Sequence, residues 1–181
     1  MLKEASSDKR LILFLDSGDT IIDETTEIRD ENGVVIRADV IPGADVMIRT
    51  LYERGYTLVL VADGLAQSFK NMFIQHGFYD CFTAMINSEN VKAEKPNARM
   101  FLAAIGAIGL DASAFGRVAM VGNNLARDVK GANALGITSI FQSWTSRYPH
   151  EPADDSQRPD YTIREPLELL ELAETLNAKL P

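Results

Sequence analysis

Cysteine and histidine are scarce in this sequence, whose 181 residues include one cysteine and two histidines. The single thiol, Cys81, excludes an internal disulfide and fits a protein of the reducing cytoplasm. His76 and His150 lie far apart in the chain, so a zinc site built from these residue types is not expected. Long apolar runs are also missing, and we therefore predict no membrane partner.

Clusters of basic residues are missing too. The formal net charge is −8 and the isoelectric point is about 4.8. A nucleic-acid-binding surface would need a basic patch or stripe, so nucleic acid is not expected as a partner. The acidic balance also argues against a polyanionic macromolecular substrate, and a small molecule is the favoured ligand class.

Apolar segments typical of strands alternate along the chain with amphipathic segments typical of helices. Strands apolar on both faces, alternating with helices, predict an α/β fold: a doubly wound parallel sheet of five to six strands with helices on both faces. The length suits one domain over residues 1–181. Strands are predicted at 10–15, 56–63, 83–87, 117–122, 137–142 and 161–163, and helices after Pro42-Gly43 and at 68–77, 97–109, 125–136 and 166–180.

A β-hairpin is predicted between the first strand and the first helix. Residues 25–40 contain two β-prone runs around Glu31-Asn32-Gly33. An Asn-Gly pair between two such runs favours a tight hairpin turn. We expect this hairpin to form a flap beside the first strand.

Polar residues collect where the predicted strands end. The carboxyl ends of parallel strands share one edge of the sheet, so these residues should meet in one crevice. A carboxylate beside a lysine suits group transfer through an aspartyl intermediate, and Asp and Asn oxygens suit Mg²⁺. The residues are Asp16-Ser17-Gly18-Asp19-Thr20 after the first strand, Ala62-Asp63-Gly64 after the second, Lys95 after the third, and Asn123, Asn124 and Asp128 after the fourth.

These segments, in this order, resemble the four motifs of the haloacid dehalogenase (HAD) superfamily of hydrolases. Asp16-Ser17-Gly18-Asp19-Thr20 is similar to the first motif, Asp-x-Asp-Gly-Thr, and Val61-Ala62-Asp63 stands at the second. Lys95-Pro96 resembles the third, and residues 121–136 resemble the fourth. The resemblance covers residues 10 to about 142 and implies the Rossmann-like sheet of this superfamily.

The resemblance implies a role for each motif. Asp16 would be the nucleophile, and Lys95 would contact phosphate together with backbone N–H groups near Ala62 and Asp63. Thr20 is a further candidate for substrate binding, although its hydroxyl could instead tie the loop. Mg²⁺ would be held by Asp16, the Gly18 carbonyl, Asn123 and Asp128.

Three positions depart from the family pattern. The aspartate that acts as acid and base in family phosphatases falls at Gly18, and Asp19 stands one place later. We keep Asp19 as the catalytic candidate, although a shift of one residue can turn a side chain away. Ala62 removes a hydroxyl usually offered to phosphate, and Asn123 replaces an aspartate and lowers the negative charge around the metal.

Most of these residues also have a plainer interpretation. Asp16 and Asp19 could be turn residues, Asp63 could cap a helix, and Lys95 could be a solvated loop residue. Asn123 and Asn124 could simply cap the helix that follows. Farther on, Trp144, Arg147 and Tyr148 could line the substrate entrance or belong to a packed loop.

We predict a HAD-like hydrolase that performs Mg²⁺-dependent phosphomonoester hydrolysis on a small phosphorylated substrate. The gaps between motifs hold only the hairpin 25–40 and, later, one helix and one strand, so no separate cap domain is expected. A partner subunit could close such an open site, so a homo-oligomer is also considered. Dehalogenase-like chemistry, which family members perform without Mg²⁺, and a catalytically degenerate binding or regulatory module remain alternatives.

Overall fold

A parallel sheet of six strands forms the centre of the protein in the computed structural model, which describes residues 10–181. The strands of the chain are β1 (Ile12–Leu15), β2 (Ile28–Arg29), β3 (Val35–Arg37), β4 (Thr57–Ala62), β5 (Ala84–Asn87), β6 (Val118–Gly122), β7 (Thr138–Gln142) and β8 (Tyr161–Ile163). The sheet has the order β5-β4-β1-β6-β7-β8, and every pair in it is parallel. The predicted α/β fold is confirmed.

Helices cover both faces of the sheet. They are α1 (Ala44–Glu53), α2 (Ala66–Gln75), α3 (Ser88–Val91), α4 (Ala98–Ala107), α5 (Lys130–Asn133) and α6 (Glu168–Lys179). Apolar residues of α1, α2 and α6 pack in one core, and those of α4 and α5 pack in the other. None of the helices in residues 10–181 combines the length and the apolar character that spanning a bilayer requires.

The first strand shows why both faces are covered. Leu13 and Leu15 enter one core, while Ile12 and Phe14 enter the other. Successive side chains of a strand point to opposite faces, so a run without polar residues requires packing on both sides. Each such buried side chain contributes about 1.5–3 kcal/mol relative to an exposed one.

The predicted hairpin is present, with β2 and β3 paired antiparallel, and it is attached to α2. The Val35 N–H donates to Ser68 Oγ at 2.9 Å, and Asn71 Nδ2 donates to the Val35 carbonyl at 2.9 Å. One turn later, Gln75 bonds both the N–H and the carbonyl of Ala38. These polar side chains recur at helical spacing and satisfy the outer edge of β3, which would otherwise be open to other strands.

Two local features differ from the sequence prediction. The helix expected at 125–136 begins as a π-helical turn over Leu125–Val129 and continues as α5 for only one turn. Several 3₁₀ turns were not predicted, and three of them follow an aspartate whose carboxylate accepts the N–H two residues later. Those aspartates are Asp23, Asp111 and Asp154.

Candidate active site

The strand-end residues line one cavity at the carboxyl edge of the sheet. The hairpin and the loop after β7 add further walls to it. The lining includes Asp16, Gly18, Glu24, Glu27, Arg29, Val35, Ala62, Asp63, Lys95, Asn123, Arg127, Asp128 and Tyr148. The arrangement brings together all four motif segments, although not every residue predicted within them.

Lys95 stands at the centre of the site, between two carboxylates. Its Nζ lies 2.7 Å from Asp16 Oδ1 and 2.7 Å from Asp128 Oδ1, and it also donates to the Val61 carbonyl at 2.8 Å. Burial by itself would lower the pKa of Lys95, but Asp128 and Asp16 together raise it above its ordinary value. The ammonium group therefore stays protonated and neutralises part of the carboxylate charge.

Asp63 holds the loop that carries Lys95. Asp63 Oδ1 accepts the backbone N–H of Lys95 at 3.0 Å, and Asp63 Oδ2 lies 3.5 Å from Arg127 Nη1. Burial raises the pKa of Asp63, and Lys95 opposes that rise. The residue that precedes α2 is Leu65, which makes no side-chain cap, so the helix-cap interpretation of Asp63 is wrong.

Asp128 is fixed from both sides. Its Oδ1 faces Lys95, and its Oδ2 accepts the Asn124 N–H at 3.0 Å. A Cβ on Gly122 would lie 2.2 Å from Asp128 Cγ, so glycine is required there for the carboxylate to reach the site. Burial raises the pKa of Asp128, and the nearby Lys95 opposes the rise.

The paired asparagines have different positions. Asn124 Oδ1 accepts the N–H groups of Ala126 and Arg127 at 3.0 and 3.2 Å, which is the cap that its plainer interpretation predicts. Asn123 is buried and lines the cavity instead, and its Nδ2 has no hydrogen-bond partner within residues 10–181. Asn123 is therefore the amide available to a ligand.

Asp19 and Thr20 lie behind the nucleophile loop, outside the cavity lining. Asp19 is fully buried with φ of 50°, its Oδ1 accepts the Glu24 N–H at 3.1 Å, and its Oδ2 pairs with Arg147 Nε. The Thr20 carbonyl accepts from Gln142 Nε2 at 3.0 Å, while the Thr20 hydroxyl is unpartnered among the described residues. The Asp19 carboxylate is thus held by Glu24 and Arg147 and does not line the cavity that contains Asp16.

Glu24 is a site residue that the sequence analysis missed. A Cβ added to Gly18 would lie 1.8 Å from Glu24 Oε1 and 2.7 Å from Glu24 Cδ, so this carboxyl group fills the space beside Gly18. Burial raises the pKa of Glu24, Asp19 raises it further, and Arg147, 3.5 Å from Oε2, lowers it. The signal available in the sequence was Asp23-Glu24-Thr25, a turn-forming aspartate followed by an acidic residue.

The three residues singled out after the fifth predicted strand have three different environments. Trp144 packs against a hydrophobic core, Tyr148 lines the cavity, and Arg147 pairs with Asp19 and Glu24. Burial raises the pKa of Tyr148, which keeps its phenol neutral. The loop is thus both packed and part of the site.

The donors beside Asp16 fit a hard cation. The set consists of the Asp16 carboxylate, the Gly18 carbonyl and the Asn123 amide, whose unpartnered group can turn its oxygen toward a metal. Residues 10–181 contain no cluster of three histidine, cysteine or acidic side chains placed to hold a metal. A set with few carboxylates suits Mg²⁺, which keeps several waters. Asp128 adjoins this set, with Oδ1 2.7 Å from Lys95 Nζ and Oδ2 accepting the Asn124 N–H, and each of its oxygens keeps a lone pair for a metal.

Known proteins share this chain's motif segment. A model of haloacid dehalogenase-like hydrolases matches residues 15–142. Glyceraldehyde 3-phosphate phosphatase of Methanopyrus kandleri is 31% identical over 138 residues, 76% of this chain and 56% of that protein. (S)-2-haloacid dehalogenase of Pseudomonas sp. is 30% identical over 132 residues, 73% of this chain and 54% of that protein. The HAD phosphatase structure from Thermococcus onnurineus has a TM-score of 0.63 and 27% identity, over 75% of this chain and 58% of that one.

The chain spans about half the length of the curated relatives it matches. The matched segment nevertheless contains every strand from β4 to β7 and the residues that surround Lys95. Its relatives include phosphatases, and its sheet carries the strand-end residues in the order that the sequence motifs predict. The chain therefore belongs to the family of haloacid dehalogenase-like hydrolases.

Proposed function

We propose that the protein is a Mg²⁺-dependent phosphatase that acts through an aspartyl intermediate on a small phosphorylated substrate. The observation that carries the proposal is the ion pair between Asp16 and the buried Lys95 at the end of β1. A carboxylate that accepts from a buried ammonium group at a cavity wall is oriented for attack. Phosphatases among the relatives support the same reaction class.

The proposed reaction has two displacements. In the first, an Asp16 oxygen bonds to phosphorus and the bond from phosphorus to the leaving oxygen breaks, while the leaving oxygen gains a proton. In the second, a water oxygen bonds to phosphorus, a proton leaves the water, and Asp16 is released with inorganic phosphate. Lys95 stabilises the anionic oxygens throughout, and N–H groups near Ala62 and Asp63 are the proposed phosphate contacts.

Asp16, the Gly18 carbonyl and Asn123 would hold Mg²⁺, with Asp128 supporting them through Lys95 and the Asn124 loop. Bound there, the metal would neutralise charge on the transferred phosphoryl group. Asp128 also accepts the Asn124 N–H, and this contact ties the residue next to Asn123 to the π-helical turn. Asp128 stays a fourth candidate ligand, because each of its oxygens keeps a second lone pair.

A small substrate is favoured by the walls of the cavity. Glu27 and Arg29 of the hairpin and Tyr148 of the β7 loop line the cavity together with Asp16. The relatives named for glyceraldehyde 3-phosphate, phosphoserine and phosphoglycolate all act on small phosphorylated compounds. Because the chain spans only about half of these proteins, the identity of the substrate does not carry over with the reaction class.

Hydrolysis of p-nitrophenyl phosphate tests the proposal. We expect turnover that requires Mg²⁺ and that falls by about 10³-fold or more in Asp16→Asn. The matched control is Asp80→Asn, the same change at an exposed site, which should keep wild-type turnover. An Asp16→Asn protein that turns over like wild type would contradict the aspartyl mechanism.

Dehalogenation is the second candidate, because a (S)-2-haloacid dehalogenase is among the relatives and Gly18 lacks the phosphatase acid. Halide release from 2-chloropropionate that persists in EDTA, without phosphatase activity, would favour it. A folded protein that binds Mg²⁺ but neither turns over nor forms an Asp16 adduct with beryllium fluoride would favour a binding module.

A further inference from the structure

Position 18 of the first motif is a glycine without a carboxylate, but a carboxyl group from elsewhere in the chain occupies the space beside it. A Cβ built on Gly18 would overlap the Glu24 carboxyl, with 1.8 Å to Oε1, 2.7 Å to Cδ and 3.0 Å to Cγ. Any side chain at position 18 would therefore project into the volume that the Glu24 side chain occupies. Both Gly18 and Glu24 line the same cavity as Asp16.

The chain holds Glu24 in this place with several contacts. Asp23 starts a 3₁₀ turn over Glu24–Thr26 by accepting the Thr25 N–H at 2.9 Å. Asp19, whose φ is 50°, accepts the Glu24 N–H through Oδ1 at 3.1 Å. Asp19 thus contacts the backbone of Glu24 rather than the cavity.

Arg147 limits the positions open to the Glu24 side chain. Its Nε pairs with Asp19 and lies 3.5 Å from Glu24 Oε2. The other oxygen, Oε1, is the atom nearest to the space beside Gly18. One carboxylate oxygen therefore faces an arginine, while the other faces the cavity that contains the nucleophile.

We propose that Glu24 is the catalytic acid and base of this enzyme, contributed from six residues beyond the position where the first motif normally carries that group. The proposal rests on the proposed phosphatase function. Glu24 gives its proton to the leaving oxygen as the bond from phosphorus to that oxygen breaks. The resulting carboxylate then takes a proton from the attacking water as the bond between phosphorus and Asp16 breaks.

Leaving groups of different quality separate this role from a structural one. p-Nitrophenolate departs without help from an acid, whereas phenolate requires a proton. In Glu24→Gln, we expect p-nitrophenyl phosphate to release about one p-nitrophenol per protein rapidly and then to turn over slowly, because only the second displacement lacks its base. With phenyl phosphate the same variant should show no rapid phase, and its turnover should fall by about 100- to 10,000-fold.

Moving the carboxylate back to position 18 gives a second, independent test. Glu24→Ala empties the space, and the backbone at Gly18 lies outside the left-handed region, so Gly18→Asp is sterically allowed in that background. We expect the double variant to hydrolyse phenyl phosphate at least about 10-fold faster than Glu24→Ala. Gly18→Asp alone should be impaired, because its side chain meets Glu24.

The outcomes distinguish this inference from the proposed function. If wild type shows no Asp16-dependent hydrolysis, the proposed function fails. If hydrolysis depends on Asp16 but Glu24→Gln matches wild type on phenyl phosphate, only the role of Glu24 is overturned. A folded double variant that is no more active than Glu24→Ala, with circular dichroism like wild type, would also overturn it.

Discussion

Two glycine-to-alanine substitutions should change stability in opposite directions. Gly131 lies in α5 against α4, and a Cβ there would be 2.5 Å from Phe101 Cε2 and 3.2 Å from the Pro96 Cα. Phe101 is fully buried in the core that α4 and α5 share. Gly106, near the end of α4, would place its Cβ in open space, with no atom within 4 Å.

The magnitudes follow from these contacts. Overpacking at Gly131 costs about 1–3 kcal/mol, and the helix preference of alanine over glycine returns up to about 1 kcal/mol. We expect Gly131→Ala to lose roughly 1 kcal/mol of unfolding free energy. Gly106→Ala has the helix preference of alanine without a steric clash, and its unfolding free energy should rise by about 0.5 kcal/mol.

Urea unfolding followed by circular dichroism measures both changes, provided that the slope of the transition stays constant. Turnover should fall only in Gly131→Ala, because Pro96 follows Lys95 and a shift of Pro96 moves the ammonium group. A Gly131→Ala protein as stable as wild type would refute the packing argument. Destabilisation by Gly106→Ala would refute the comparison.

Three further predictions concern the site and the hairpin. Gly122→Ala should lower turnover of p-nitrophenyl phosphate by about 10-fold or more, because its Cβ would displace the Asp128 carboxyl that faces Lys95. Lys95→Met should lower the unfolding free energy by about 3–5 kcal/mol in urea, since it leaves buried carboxylates unpaired, and adding Asp128→Asn should restore part of it. Asn71→Ala should lower the unfolding free energy by about 1 kcal/mol, because it removes the hydrogen bond to the Val35 carbonyl, and should speed amide hydrogen exchange in the hairpin around Val35.

The sheet and its order of elements could be predicted because burial of the strands on both faces leaves a strong local pattern. Residues 10–15 have no polar side chain after Arg10, and neither a surface strand nor a loop would have that pattern. The hairpin was predictable for another reason, because Asn32-Gly33 favours a turn, and its strands are mostly exposed. Helix lengths were less predictable, as the π-helical turn at Leu125–Val129 depends on contacts of Asn124 and Asp128 that side-chain periodicity does not encode.

The candidate site was predictable only where the strand ends determine it. Asp16 and Asp63 directly follow the apolar strands β1 and β4, so the topology alone brings them to one edge. Glu24 and Arg147 are different, because Glu24 reaches the cavity through a turn and Arg147 comes from 128 residues beyond Asp19. No local pattern contains that pairing. Asp19 also has a positive φ, which residue types alone could not reveal.

The charges around Lys95 give a physical reason for a metal requirement. Asp16 and Asp128 contribute two formal negative charges and Lys95 one positive charge, so this group has a net charge of −1 before substrate binds. Asp63 offsets the charge of Arg127, and Asp19 offsets that of Arg147, so neither pair adds net positive charge. A dianionic phosphate would be repelled by the Asp16 carboxylate, which is the group that must attack it. A divalent cation held by Asp16, Gly18 and Asn123 would offset that repulsion, and we therefore expect turnover to vanish in EDTA and to return when Mg²⁺ is added.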